Sequence, residues 1–203
     1  MVTLKDIKGL SNIHDIPPEI HVNEGICLDP FLAYNLSDHP KTATYDFDIW
    51  LEDYNIYLQR PFVWNQIQQQ EFILSILLRK PIPPVVIVEM DSSASLAGEC
   101  LRKKLVIDGK QRLKTIKKFL NNDVSIPIND NYYTYSSFDQ DAKLMFEREI
   151  NFLTATVYYA SDVKTDKWYM SDYTKIVLFN FYNFAGTPQE KDHKDMLQNL
   201  LNK

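Results

Sequence analysis

Val106-Ile-Asp-Gly-Lys-Gln-Arg112 joins an apolar, β-branched run to a turn and then to a helix start. Leu105-Val-Ile107 reads as a short buried strand and Asp108-Gly109 as the turn. Leu113, Ile116 and Leu120 then recur at the spacing of one helix face. A strand that feeds directly into a helix turns the unpaired N–H groups of the first turn outward, and the helix dipole adds positive potential there. Such a helix start binds phosphate. Gly109 lets the backbone approach a ligand closely. Arg112 lies in the first turn, placed for a bidentate grip on phosphate, and Lys110 adds a point charge. Asp108 has three open roles: helix cap, partner of Arg112, or oxygen ligand of Mg²⁺. A capped strand-to-helix turn with an exposed arginine fits the same residues.

The pattern outward from this turn alternates strands and helices. Val85–Glu89 is a continuous β-branched run and predicts a buried strand. Before it, Asn65 is placed as the N-cap of a helix over 66–78, with Ile67, Phe72, Ile73, Ile76 and Leu77 inward, and Pro81-Ile-Pro-Pro84 ends that helix. Tyr54–Leu58 predicts a further strand, and Asp91–Glu99 a small polar loop. Asn129–Tyr135 is turn-rich and aromatic. Ser137-Phe-Asp-Gln140 has capping-box spacing for a helix to about Glu149. Phe152–Tyr159 predicts a strand, and 172–184 and 188–201 two helices parted by Gly186-Thr-Pro188. Residues 1–44 predict only short elements and loops. The expected fold is a single α+β domain over 1–203, with a small mixed sheet, flanking helices and a helical C-terminal end.

Charge and composition narrow the function classes. Eight basic residues lie between Arg102 and Lys118 against one acid, Asp108. That block carries +7, which leaves −12 for the rest of a chain whose total is −5. A globally basic nucleic-acid coat is excluded, while a local anion site is allowed. The chain has only 5 glycines, and neither a Walker nor a Rossmann spacing occurs. Cys27 and Cys100 have no CxxC partner, and His14, His21, His39 and His193 are scattered, so no zinc site is expected. Both thiols read as free. With no signal-peptide or membrane-span pattern, a cytoplasmic location is expected.

Asp108-Gly-Lys-Gln-Arg112 resembles the D-G-Q-Q-R motif of the GmrSD-type restriction endonuclease N-terminal domain family, within the ParB/sulfiredoxin-like superfamily. Leu58-Gln-Arg-Pro-Phe-Val-Trp64 resembles its Y-Q-R-x-x-V-W segment. Gln69 and Phe72–Leu77 resemble the helix that follows, and Pro81-Ile-Pro-Pro84 its P-I-P-P turn. Phe179 to Asn183, with Gly186-Thr-Pro188, resembles the F-x-R-x-N…G-T-P stretch. The likeness spans about residues 50–190 in four ordered motifs.

The resemblance implies binding and hydrolysis of nucleoside triphosphates, with Asp108, Gln111 and Arg112 as the catalytic loop. Arg60, Trp64, Gly109, Lys110 and Asn183 would bind the nucleotide, with Mg²⁺ as a candidate cofactor on Asp108. In this picture Gln111 orients a water, Trp64 offers an aromatic face to a base, and Asn183 closes the cleft. Lys110 departs from the first Gln of the motif, and Phe181 stands where the family has Arg. No H-N-H pattern follows, so nuclease activity is not expected. Three classes of function stay open. They are a nucleotide-binding domain with weak hydrolysis in phage or mobile-element defence or counter-defence, a ParB-like DNA-binding module, and a non-enzymatic decoy that binds a restriction-system protein. The expected host is a bacterial or phage-infected cell.

Overall fold

A computed structural model describes residues 21–36, 42–90, 102–159 and 170–184, with Pro40 and Asn199 besides. The proposed loop at 91–99, the helix at 188–201, Cys100, His14, His39 and His193 lie outside the described residues. The elements in order are β1 (His21–Cys27), α1 (Leu32–Asn35), β2 (Ala43–Asp46), β3 (Trp50–Leu51) and β4 (Ile56–Tyr57). There follow α2 (Gln66–Leu77), β5 (Val85–Met90), β6 (Arg102–Asp108), α3 (Lys110–Leu120), β7 (Ile126–Ile128) and β8 (Asn131–Tyr133). A 3₁₀ turn at Tyr135–Ser137 leads into α4 (Gln140–Asn151), β9 (Thr154–Tyr159) and α5 (Asp172–Phe184). Among the described residues no helix is long and apolar enough to cross a membrane.

The α+β expectation holds. Five strands form one mixed sheet in the order β1-β9-β5-β6-β2. β5 runs parallel to β9 and antiparallel to β6, while the edges β1 and β2 lie antiparallel to β9 and parallel to β6. Alternate residues of the central strands face two cores. Val85, Ile87, Val106, Ala155 and Val157 face a core shared with α1 to α4. Val86, Val88, Leu105, Ile107 and Tyr158 face a second core under α5 and the β3–β4 hairpin. A sheet covered on both faces requires strands that are apolar throughout, which is why Val85–Val88 reads as an unbroken run.

Local chemistry sets the boundaries. Asn65 caps α2 through a full capping box, accepting from the Gln68 N–H at 2.9 Å. Ile67, expected inward, is 64% exposed, and Gln69 and Gln70 take the buried positions. Their amides reach the Trp64 and Ser125 carbonyls at 2.9 and 2.8 Å, so the buried face of α2 is rotated toward hydrogen-bond acceptors. The strand expected over 54–58 shrinks to Ile56–Tyr57 because Asn55 turns the hairpin at φ +55°. Asp139, not Ser137, caps α4, accepting from Ala142 N–H at 2.8 Å, and the Ser137 hydroxyl instead donates to the Thr134 carbonyl. Phe152 is the 70% exposed C-cap of α4, so β9 starts two residues later than expected.

Candidate functional site

The helix start proposed from Asp108–Arg112 forms at the carboxyl end of β6. Gly109 is the N-cap of α3 at φ +105°, ψ 4°, and no side chain caps the first turn. Its main-chain freedom serves the fold first: an ideal Cβ at Gly109 would sit 2.9 Å from Val85 Cγ1. The turn therefore approaches β5 closely.

A cleft of about 260 Å³ opens at this turn. Asp108, Gly109, Lys110, Gln111 and Arg112 line one wall. Arg60 and Trp64 line the same cleft, and Asn183 comes from α5. Every residue singled out in the sequence as a site candidate therefore borders one cavity. Gln59, Ile107 and Phe179 line it as well. Gln59 was visible only as part of the Leu58–Trp64 segment. Its buried amide donates to the Val106 carbonyl and to that of Ile107. Phe181, the departure from arginine, lies outside the lining and packs edge-on against Tyr182 with centroids 5.0 Å apart.

The bonds of these side chains separate structural from available groups. Arg112 donates to the Pro83 carbonyl, to that of Pro84 at 3.2 Å and to Asp108 Oδ2 at 2.7 Å. Its side chain is 13% exposed, and burial lowers its pKa against the opposing pull of Asp108. Of the three roles open to Asp108, the structure thus shows pairing with Arg112. Gln111 Oε1 accepts from the Val63 and Trp64 N–H groups at 2.9 and 3.3 Å, and Nε2 donates to the Pro61 carbonyl at 3.1 Å. Lys110 donates to Asp48 Oδ1 and to the Arg60 carbonyl, the latter at 2.7 Å. Asn183 Nδ2 donates to the Ile107 and Phe179 carbonyls. Trp64 packs edge-on against Phe72, centroids 5.3 Å apart.

The Lys110–Asp48 pair is asymmetric. Burial depresses Lys110, and the hydrogen bond and charge of Asp48 recover only part of that shift. Burial pushes Asp48 up, but Lys110 and Lys114 outweigh it and hold the carboxyl below its ordinary value. The lysine side chain is 6% exposed and the aspartate 54%, so the lysine bears most of the desolvation.

Arg60 differs from these neighbours. Among the described residues its guanidinium makes no ion pair or hydrogen bond, and it lines the same cleft as the uncapped start of α3. The basic block between Arg102 and Lys118 is, by contrast, largely paired. Lys103 meets Asp46 at 3.0 Å, Lys104 meets Asp29 at 3.7 Å, and Lys114 meets Asp48 at 3.3 Å. Among the described residues no group of three His, Cys, Asp or Glu is placed to hold a metal, and Asp108 is the carboxylate lining the cleft.

No curated protein and no solved structure matches the chain significantly. The family model described as GmrSD restriction endonuclease, N-terminal domain, matches residues 52–202, which takes in every residue lining the cleft and all of α5. With most of its length covered by that match, the chain belongs to the GmrSD restriction endonuclease N-terminal domain family.

Proposed function

We propose that the cleft binds the phosphates of a nucleoside triphosphate and that the domain hydrolyses it slowly, as part of a restriction-type defence or counter-defence system. One observation carries this reading. The Arg60 guanidinium has no protein partner among the described residues and shares a cavity with the uncapped N-terminus of an eleven-residue helix. A cation beside unpaired first-turn N–H groups is an anion site waiting for charge. Trp64 borders the same cavity and offers a ring face for stacking. Mg²⁺ would enter with the phosphates, held chiefly by their oxygens and water, with Asp108 as the protein carboxylate in reach. That ion would neutralise charge on the phosphates. Hydrolysis adds water to the terminal phosphorus as the bond to the nucleoside diphosphate breaks, and the water's proton leaves with the released phosphate or to solvent.

The DNA-binding alternative rested on the basic block, and five of its eight cations are paired with the chain's own carboxylates. The decoy reading draws on Phe181, which stands where the family has Arg.

Thermal melts with ATP, GTP, CTP and UTP, with and without Mg²⁺, test the proposal on wild type and Arg60→Ala. A ligand at 100 times its dissociation constant adds about 2.7 kcal/mol, which is roughly 5–10 °C for a domain of this size. The expected result is a wild-type shift that Arg60→Ala loses while its ligand-free melt stays at the wild-type temperature. No shift with any nucleotide, or a shift that survives Arg60→Ala, would refute the assignment.

A further inference from the structure

We propose that Gln111 is a positioning residue of the cleft, pinning the Pro61–Trp64 backbone so that Arg60 and Trp64 face a bound nucleotide. The inference rests on the nucleotide reading above and assigns Gln111 a different task from orienting water.

Residues 60–64 adopt neither helix nor strand, so their backbone groups need partners from elsewhere. Side chains supply them. Gln111 engages three groups of this segment: the Pro61 carbonyl and the Val63 and Trp64 N–H groups. A carboxamide oxygen has two lone pairs, and both are used by these two amides. While the bonds stand, that oxygen has no capacity left to direct a water. Lys110 holds the Arg60 carbonyl, and Gln69 Nε2 holds the Trp64 carbonyl at 2.9 Å. The Trp64 residue is thus tied at its N–H by α3 and at its carbonyl by α2. Gln111 itself is fixed on the first turn of α3, where its carbonyl accepts from the Thr115 hydroxyl at 2.8 Å. The helix start that offers N–H groups to phosphate and the segment that carries Arg60 are therefore set in mutual register by one amide. Preorganisation of this kind lowers the ordering cost of binding.

The test has a ligand-free arm and a nucleotide arm. Amide hydrogen exchange on nucleotide-free protein compares wild type, Gln111→Met and Gln111→Glu. The methionine keeps length and removes both polar atoms, while the glutamate still accepts from two N–H groups. Exchange at Val63 and Trp64 is expected to accelerate about tenfold or more in Gln111→Met, the scale of one or two lost hydrogen bonds. Gln111→Glu is expected to restore the protection. In the nucleotide arm, Gln111→Met weakens the binding measured for wild type by about tenfold with Arg60 intact. Unchanged exchange in Gln111→Met would overturn the proposal, and so would accelerated exchange with unaltered nucleotide affinity. A wild type that binds no nucleotide would overturn the functional reading itself, a result distinct from either of these.

Discussion

Gly109→Ala probes the turn on which the site is built. The alanine must adopt φ +105°, and its Cβ would lie 2.9 Å from Val85 Cγ1 and 3.1 Å from Cγ2. Carbon atoms pack at about 3.5–4.0 Å, so Val85 or the turn must move by several tenths of an ångström. Val85 is 1% exposed and sits in the central strand β5, paired with β9 at Ala155, so it has little room to yield. A left-handed alanine costs about 1–2 kcal/mol and overpacking a further ~1–3 kcal/mol. Reduced freedom of the unfolded chain returns about 0.4–1 kcal/mol. The net loss is about 2–4 kcal/mol, read by urea denaturation, or roughly 5–15 °C in a melt. Val85→Ala removes the two clashing methyl groups and by itself costs about 1–3 kcal/mol. The double variant should lose less than the sum of the singles by about 1 kcal/mol or more. A Gly109→Ala protein within about 0.5 kcal/mol of wild type, or strict additivity with Val85→Ala, would refute the reasoning.

Three further perturbations follow from the same bonds. Arg112→Ala removes the donors to the Pro83 and Pro84 carbonyls and the partner of Asp108, and should destabilise by about 2–4 kcal/mol in denaturant; Arg112→Lys should recover only part, since one ammonium does not span all three acceptors. Lys104→Ala strips the buried Asp29 of its cation and should cost about 2–4 kcal/mol, whereas Lys103→Ala, at a pair 53% exposed on the lysine side, should stay within about 1 kcal/mol; equal costs would contradict this division of the basic block. Asp48 titrates in the folded state below 3.8, so its contribution is complete above that value and is lost as pH falls through the folded pKa. The stability gap between wild type and Asp48→Asn should be open at pH 5–7 and close below about 3.8, and a gap independent of pH would exclude the Lys110 and Lys114 contacts as its cause.

How far the sequence could be read depended on the range of the interaction. Asn65, the Val85–Val88 run and the face of Leu113 and Ile116 obey local rules, and each stands where those rules put it. Ile67 faces out because Gln69 and Gln70 gain acceptors on two other segments, a contact with no local signature. Asp139 takes the cap from Ser137 because the 3₁₀ turn at Tyr135–Ser137 uses the serine hydroxyl. The edge strand β1 breaks its alternation at Glu24-Gly25 and β2 has four residues, so neither carried a clear periodic signal. The pairing of the basic block had no local signature because its partners, Asp29, Asp46 and Asp48, lie 57 to 75 residues upstream. The residues of the cleft were legible as a set, from the turn and from the family motifs. Their individual tasks were not, because the same residue types serve a phosphate or a carbonyl.

That ambiguity resolves into a division of labour. In Asp108–Arg112 the side chains of Lys110, Gln111 and Arg112 are bonded to the chain itself, and Gly109 has none to offer. Asp108 is paired with Arg112 in turn, so under the proposed function what this loop would offer an anion is its backbone at the start of α3. Substitutions at Arg112 or Gly109 disturb the wall of the site and the stability of the fold together, so lost binding in such variants cannot by itself identify a phosphate contact. The Arg60 guanidinium borders the same cleft and has no side-chain bond to lose among the described residues. Removing its charge should leave the turn, the Gln111 bonds and both cores intact, so under the proposed function Arg60→Ala separates recognition of an anion from assembly of the site.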